Sequence, residues 1–176
     1  MLMRWTQPVA LWLHGESAWV SPVRTPVKRL VFVCAGNICR SPFGEYLAQR
    51  AGVASCSMGL RATAGSPANP QAIRHALRHG LDMTAHRARP LVPEQLEDTD
   101  LILAFERWQA LEIQTALTGR RSTVRLLGGF LGFGHYHLHD PYGLSDDYFS
   151  RCFAAIEQGV IAVLQQTDTE KVPLRP

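Results

Sequence analysis

From residue 27 onward, the hydrophobic and polar positions of this chain switch between strand-like and helix-like spacing. Short apolar runs predict four buried strands, at 29–33, 54–58, 100–105 and 123–127. Helical spacing follows each of them, at 42–51, 70–79, 106–117 and 146–165. Strands that alternate with helices are typical of a parallel sheet covered on both faces. The sequence therefore predicts an α/β fold with a doubly wound, four-stranded parallel sheet.

Residues 1–28 stand outside this pattern. The segment is rich in proline and carries three tryptophans, Trp5, Trp12 and Trp19. Two interpretations stay open, a poorly ordered extension or a short hairpin or arm that docks a partner, since exposed tryptophans are costly. The predicted division of the chain is an N-terminal extension (1–28), one domain (29–166) and a C-terminal tail (167–176).

Length and charge narrow the class of protein. A chain of 176 residues is long enough for one domain with its own hydrophobic core. The formal net charge of +3 is small and scattered, which does not favour nucleic-acid binding. No apolar run approaches the ~20 residues of a membrane-spanning helix. A basic stripe at helical spacing is predicted to face solvent; it consists of Arg74, His75, Arg78 and His79.

The cysteines indicate the cellular compartment of the protein and do not indicate a disulfide scaffold. Four are present, Cys34, Cys39, Cys56 and Cys152, and their spacing fits neither a zinc site nor a secreted disulfide framework. The apolar run at 9–13 is short for a signal peptide. Free thiols without an export signal predict a cytoplasmic protein.

One loop combines a thiol, an arginine and residues suited to binding an anion. Cys34 ends the first predicted strand, and Arg40 lies six positions later, where a helix begins. Gly36 and Asn37 tolerate left-handed backbone, so the loop can turn its N–H groups towards an anion. The helix N-terminus and the planar fork of Arg40 suit phosphate, and Ser41 can donate a hydrogen bond to a thiolate. The pattern predicts a cysteine nucleophile that attacks a bound phosphate ester.

A second loop supplies the candidate general acid. Asp140 follows the fourth predicted strand, so its loop returns to the sheet edge that carries Cys34. Pro141 stiffens this loop, and Tyr142 can wall the pocket. Proton transfer to a leaving oxygen from a positioned carboxylic acid contributes about 10²–10⁴ in rate. We therefore expect Asp140 to protonate the leaving group.

Two further groups of residues near the predicted site each allow two interpretations. A Cys34–Cys39 disulfide would protect the nucleophile from over-oxidation, whereas the alternative for Cys39 is plain packing. His135, His137 and His139 alternate and could share one face, but no carboxylates accompany them at metal-binding spacing. We expect a polar loop there, and neither a metal nor another cofactor.

The chain resembles the low-molecular-weight protein-tyrosine phosphatase family, and its bacterial branch in particular. The loop at 33–42 resembles the phosphate-binding loop of that family, and 140–143 resembles its general-acid loop. Further segments resemble the family in the expected order, at 57–60, 65–70, 80–82, 86–89 and 100–103. The resemblance covers about 28–164 and implies a flavodoxin-like sheet with the phosphate-binding loop after its first strand.

The resemblance also implies a role for each site residue. It implies metal-free hydrolysis of phosphotyrosine through a phosphocysteine, with Cys34 as nucleophile, Arg40 as phosphate clamp and Asp140 as acid and then base. Asn37, Ser41 and His86 would form the hydrogen-bond network around the loop. The residues that would contact the substrate are Ala35, Gly36, Asn37, Ile38, Cys39, Ser41 and Tyr142.

Three positions bear on the substrate. Relatives that hydrolyse phosphoarginine resemble this loop but carry threonine where this chain has Ile38, which favours phosphotyrosine. Met58 replaces the usual alanine, and 61–63 lacks the aromatic wall of eukaryotic members, so a more open pocket is expected.

Bacterial members of the family often act on tyrosine kinases of polysaccharide export. The expected partner is therefore a phosphotyrosine protein of that kind, and neither nucleic-acid binding nor membrane insertion is expected.

Two other functions share some of these features. An arsenate reductase of the same fold would need further cysteines in a flexible segment, whereas Cys56 and Cys152 fall in a predicted strand and a predicted helix. A non-catalytic phosphopeptide-binding module would need neither a nucleophile nor an acid. The sequence therefore favours a phosphatase over both.

Overall fold

The computed structural model describes residues 17–20, 23, 26–120, 122–132 and 136–167. Four strands form the sheet: β1 (Arg29–Cys34), β2 (Ser55–Gly59), β3 (Asp100–Ala104) and β4 (Thr123–Leu126). The α-helices are α1 (Ser17–Val20), α2 (Arg40–Arg50), α3 (Pro70–Arg78), α4 (Arg107–Ala116) and α5 (Asp146–Gln166). Two short 3₁₀ helices, Pro93–Gln95 and Leu127–Leu131, lie in the connections.

The four strands form one parallel sheet in the order β2-β1-β3-β4. β1 is central, and its last residue, Cys34, pairs with Gly59 of β2. This topology confirms the predicted doubly wound four-stranded sheet, with a loop after the first strand. The predicted ends of the elements lie within two residues of the observed ends, and several coincide with them.

Alternate side chains of β1 enter two separate cores, one on each face of the sheet. Leu30 and Phe32 pack with α2, α3 and α5, where the rings of Phe43 and Phe153 stack with centroids 4.0 Å apart. Val31 and Val33 pack on the opposite face with α4. The period of two places successive residues on opposite faces, so a fully apolar strand fits a sheet covered on both sides.

His75 corrects the prediction that the basic stripe faces solvent. Only 1% of its surface is exposed, and its ring stacks on Phe149 with centroids 5.3 Å apart. The reason is that α3 packs against α5 through the face that carries Ala72, His75 and Ala76. Helical spacing grouped His75 with the exposed Arg74, but the docking of α3 decides which face is buried.

α1 packs on the edge of the sheet beside β4. Trp19 is only 6% exposed and joins the core cluster that contains Val31 and Val33. Val20 lies against Gly129, where an added Cβ would come within 2.7 Å of Val20 Cγ1.

Trp5 and Trp12 lie outside the described residues, and so does nearly all of the 167–176 tail. Within the described part of the chain, no helix is both long and apolar enough to cross a membrane.

Candidate active site

The loop between β1 and α2 brings Cys34 to the carboxyl edge of the sheet. Cys34 is 3% exposed and closes β1. Asn37 adopts the left-handed conformation, with φ of 54°, whereas Gly36 does not, so only one of the two residues expected there supplies the turn. β2 passes close beneath: a Cβ on Gly59 would come 2.7 Å from the Ala35 carbonyl oxygen. A glycine at this position lets the loop rest on the sheet.

The Cys34 sulfur lies within a cluster of polar groups. Its Sγ is 3.0 Å from Ser41 Oγ, and the Asn37 backbone N–H donates to it over 3.3 Å. Ser41 Oγ also accepts from Asn37 Nδ2 over 2.9 Å, which leaves the hydroxyl hydrogen for Cys34 Sγ or the Met58 carbonyl. These donors are suited to stabilising a thiolate.

Asn37 connects the loop to three surrounding segments. Its Nδ2 donates to Ser57 Oγ over 2.8 Å, and its Oδ1 accepts from the Arg89 backbone N–H over 2.8 Å. Ser57 in turn donates to the buried Glu45 carboxylate over 2.5 Å. His86 Nε2 donates to the Asn37 carbonyl over 2.7 Å, and burial lowers the pKa of this imidazole. The structure thus joins Asn37, Ser41 and His86 in one network.

Ser57 and Glu45 belong to this network although the sequence analysis did not identify them. Glu45 lies four positions after Ser41, so the two share one face of α2, and that spacing was a usable signal. Ser57 comes from β2, and only the parallel pairing of β1 with β2 brings it beneath the loop.

Arg40 is fully buried and contacts three oxygen-bearing groups at the loop. Its Nη1 donates to Glu106 Oε2 over 2.7 Å and to the Leu138 carbonyl over 2.9 Å, and its Nη2 lies 2.6 Å from Asp140 Oδ2. Burial by itself would lower the pKa of this guanidinium, but the nearby Cys34, Asp140 and Glu106 together raise it. Arg40 therefore keeps its positive charge beside the thiol.

Glu106 holds Arg40 in place and was missed by the sequence analysis. It also accepts from Gln109 Nε2 over 3.2 Å and contacts His139 Nδ1 at 3.1 Å. Burial would raise the pKa of this carboxyl, but its hydrogen bond from Arg40 lowers it overall. Glu106 follows β3 closely, so the rule that identified Asp140, a polar residue at the carboxyl end of a strand, applies to it as well.

A cavity of about 270 Å³ opens over the thiol. Its lining residues are Cys34, Ala35, Gly36, Ile38, Cys39, Arg61, Asp140 and Tyr142. All of them except Arg61 were predicted to contact substrate or to act in catalysis. Arg61 stands in the segment where an aromatic wall was noted as absent, and its guanidinium carbon lies 4.9 Å from the ring centre of Trp108. Arg61, which lies over the Trp108 ring, thus forms part of the wall of this pocket.

The other cysteines and histidines occupy defined positions. All four cysteines are free thiols, and burial raises the pKa of the Cys39 thiol. The Cys34–Cys39 disulfide stays a prediction. His137 and His139 stack with ring centres 5.8 Å apart, while His135 lies outside the described residues. Among the residues that the structure describes, no group of three or more potential ligands could hold a metal ion.

Comparisons with known proteins point to one family. The family model described as low molecular weight phosphotyrosine protein phosphatase matches residues 29–172. A relative from Ralstonia solanacearum, the probable low molecular weight protein-tyrosine-phosphatase EpsP, is 36% identical over 138 residues, which are 77% of this chain and 93% of the relative.

Solved structures show the same fold. The tyrosine phosphatase AmsI of Erwinia amylovora superposes with a TM-score of 0.76 at 28% identity, over 84% of this chain and 99% of that chain. A mutant of the YwlE arginine phosphatase with a phosphorylated active-site serine gives a TM-score of 0.71 at 28% identity, over 78% of this chain and 94% of that chain. With its thiol, arginine and aspartate at one sheet edge, the chain belongs to the low molecular weight phosphotyrosine protein phosphatase family.

Proposed function

We propose that this protein hydrolyses phosphotyrosine in proteins through a phosphocysteine formed on Cys34. The observation that carries the proposal is the convergence of Cys34, Arg40 and Asp140, with Arg40 Nη2 lying 2.6 Å from Asp140 Oδ2. A nucleophile, a phosphate-binding cation and an acid within one site are the parts that phosphomonoester hydrolysis requires. Binding alone would require only the cation and the loop N–H groups.

In the first step, the Cys34 thiolate attacks phosphorus and the bond from phosphorus to the tyrosyl oxygen breaks. Asp140, in its protonated form, transfers its proton to that oxygen, so neutral tyrosine leaves. The loop N–H groups and Arg40 hold the phosphoryl oxygens while charge redistributes. Asp140 Oδ2 lies 2.6 Å from Arg40 Nη2, and we propose that the phosphate of the substrate takes the place of this carboxylate on the guanidinium.

In the second step, water attacks the phosphocysteine and gives its proton to the Asp140 carboxylate. The S–P bond breaks, inorganic phosphate forms and the thiolate is restored. Ser41 and the Asn37 N–H donate to the sulfur as it becomes a leaving group again. Both steps are displacements at phosphorus that need no external oxidant or reductant.

The test is phosphate release from phosphotyrosine peptides without added metal. We expect Cys34→Ser to abolish turnover, and Asp140→Asn to lower kcat by about 10²–10⁴. Cys56→Ser and Asp147→Asn are the matched controls, because Cys56 and Asp147 do not line the cavity. Turnover by Cys34→Ser equal to that of the wild type would reject the phosphocysteine, and thioredoxin-dependent arsenate reduction without ester hydrolysis would reject the phosphatase.

The same assay shows which phosphorylated side chain the enzyme prefers as its substrate. Ile38 lines the cavity, and we propose that it favours the flat phenyl ring of phosphotyrosine over the guanidinium of phosphoarginine. Faster release from phosphoarginine than from phosphotyrosine peptides would contradict this assignment.

We further propose that the protein acts in the cytoplasm on a tyrosine kinase of polysaccharide export. Support for the compartment comes from the chemistry of Cys34, which has to stay reduced to act. Support for the substrate comes from similarity to bacterial tyrosine phosphatases such as EpsP. The test is dephosphorylation of an autophosphorylated kinase of this kind, compared with an unrelated tyrosine-phosphorylated protein. Equal rates on the two proteins would contradict the proposal that such a kinase is the substrate.

A further inference from the structure

Arg61, Trp108 and Glu112 form one side of the mouth of the active-site cavity. The guanidinium carbon of Arg61 lies 4.9 Å from the ring centre of Trp108, and its Nη2 is 2.9 Å from Glu112 Oε2. Trp108 and Glu112 both come from α4, so a helix on one face of the sheet positions a side chain from the loop after β2. The Arg61 side chain is 60% exposed, which leaves it open to a bound protein substrate.

The Arg61 backbone is fixed relative to the nucleophile. Its N–H donates to the Ala35 carbonyl over 2.8 Å, and the preceding Leu60 N–H donates to the Cys34 carbonyl over 3.0 Å. These two bonds continue the contact with β1 and the loop after it beyond the end of β2. The backbone of Arg61 is therefore fixed beside the thiol, and the contacts with Trp108 and Glu112 place its exposed guanidinium at the rim.

The charge of Arg61 is available to a substrate. A guanidinium has five N–H donors, and the contact of its central carbon with the Trp108 ring does not use these donors as hydrogen-bond partners. The ion pair with Glu112 is exposed at both partners, and exposed ion pairs are weak, so another carboxylate can replace it. Among the described residues that line the cavity, Arg61 alone carries a positive charge, and Arg40 is buried beneath.

We propose that Arg61 selects protein substrates with acidic residues next to the phosphotyrosine. A substrate carboxylate takes the place of Glu112 on the guanidinium, while Trp108 keeps the guanidinium at the rim. Arg61 is thus a specificity-determining residue that contacts the flanking peptide. This inference rests on the proposed hydrolysis of phosphotyrosine and adds the sequence context in which phosphotyrosine is preferred.

The experiment compares kcat/KM for three phosphotyrosine peptides that differ only in the flanking residues, which are glutamate, alanine or lysine. For the wild type, we expect the glutamate peptide to be favoured over the alanine peptide by about fivefold, mainly through KM. Arg61→Met should bring this ratio close to one. Arg61→Glu should favour the lysine peptide, a gain that a misfolded variant could not show.

Arg50→Met is the matched control, because Arg50 is also an exposed arginine paired with a glutamate, Glu157, at the far end of α2. It should keep the wild-type ratio. Equal kcat/KM of the wild type for all three peptides, or an unchanged ratio in Arg61→Met, would overturn the inference while the phosphatase activity stands. Failure to hydrolyse any of the peptides would instead overturn the proposed function.

Discussion

At the scale of single residues, Asn37 shows how the loop is held. Its Nδ2 donates to two hydroxyl groups, its Oδ1 accepts from the Arg89 N–H, and its backbone carbonyl accepts from His86. Its polar side-chain atoms are thus all engaged in a buried site, where an unpaired group costs about 1–3 kcal/mol. The resulting rigidity keeps the left-handed turn beneath the thiol.

His86 gives this network a pH dependence. Burial lowers the pKa of His86, so the folded protein keeps the imidazole neutral at pH values where the unfolded chain, with a pKa near ~6.5, already binds a proton. The stabilisation is therefore complete above the unfolded pKa and is lost as pH falls through the folded pKa. We expect the free energy of unfolding to drop as the pH falls below about 6.5, by about 1.4 kcal/mol for each unit by which the pKa is lowered.

The measurement is urea denaturation at several pH values for the wild type and His86→Gln. The difference between the two curves should shrink towards acid pH, because the variant lacks this titration. His137→Gln serves as the control histidine. A difference that does not change with pH would contradict the assignment.

At the scale of elements, the contact of α2 with β1 determines where the helix N-terminus and Arg40 lie. Gly44 faces Phe32 so closely that an added Cβ would come 2.6 Å from the ring atom Cδ1. A glycine inside a helix costs about 1 kcal/mol relative to alanine. The close approach of α2 to the sheet explains why glycine occupies this position.

Gly44→Ala should therefore destabilise the protein, although alanine is the better helix former. We expect a loss of about 1–3 kcal/mol in the free energy of unfolding, since Phe32 has to move in a densely packed core. Phe32→Leu makes room, so the double variant should lose less than the sum of the two single variants in urea denaturation. A Gly44→Ala variant more stable than the wild type would show that α2 can shift without cost.

At the scale of the whole molecule, two cores on opposite faces of the sheet support one active-site edge. The core under α2 and α5 carries the phosphate-binding loop, and the core under α4 carries the Arg61 wall. The acid loop is tied to the same edge, because the Leu138 N–H donates to the Phe105 carbonyl over 2.8 Å. The segment that contains Trp19 completes the second core, and its packing can be tested separately.

Trp19→Ala should lower the free energy of unfolding by about 3–5 kcal/mol, as expected for a buried aromatic ring. Trp19→Phe should cost clearly less, because the indole N–H is buried and finds no hydrogen-bond partner among the described residues. Trp108→Ala is the comparison, since Trp108 is 40% exposed and its removal should therefore cost less than that of Trp19. Equal losses for Trp19→Ala and Trp108→Ala would show that Trp19 is not part of the core.

The sequence by itself determined the order of the elements, the parallel sheet, and the expectation of Cys34, Arg40 and Asp140 at one edge. It could do so because strand and helix periods are local, and because a thiol and an arginine six positions apart share one loop. Tertiary structure alone decided that Glu106 holds Arg40, that Trp108 holds Arg61, and that His75 and Trp19 are buried. Each of these depends on how elements distant in sequence pack together, which local patterns do not encode. The chemistry of the loop was predictable because its residues are close in sequence. The position of Arg61, which we propose contacts the substrate, was not predictable because it depends on the packing of α4 against the loop after β2.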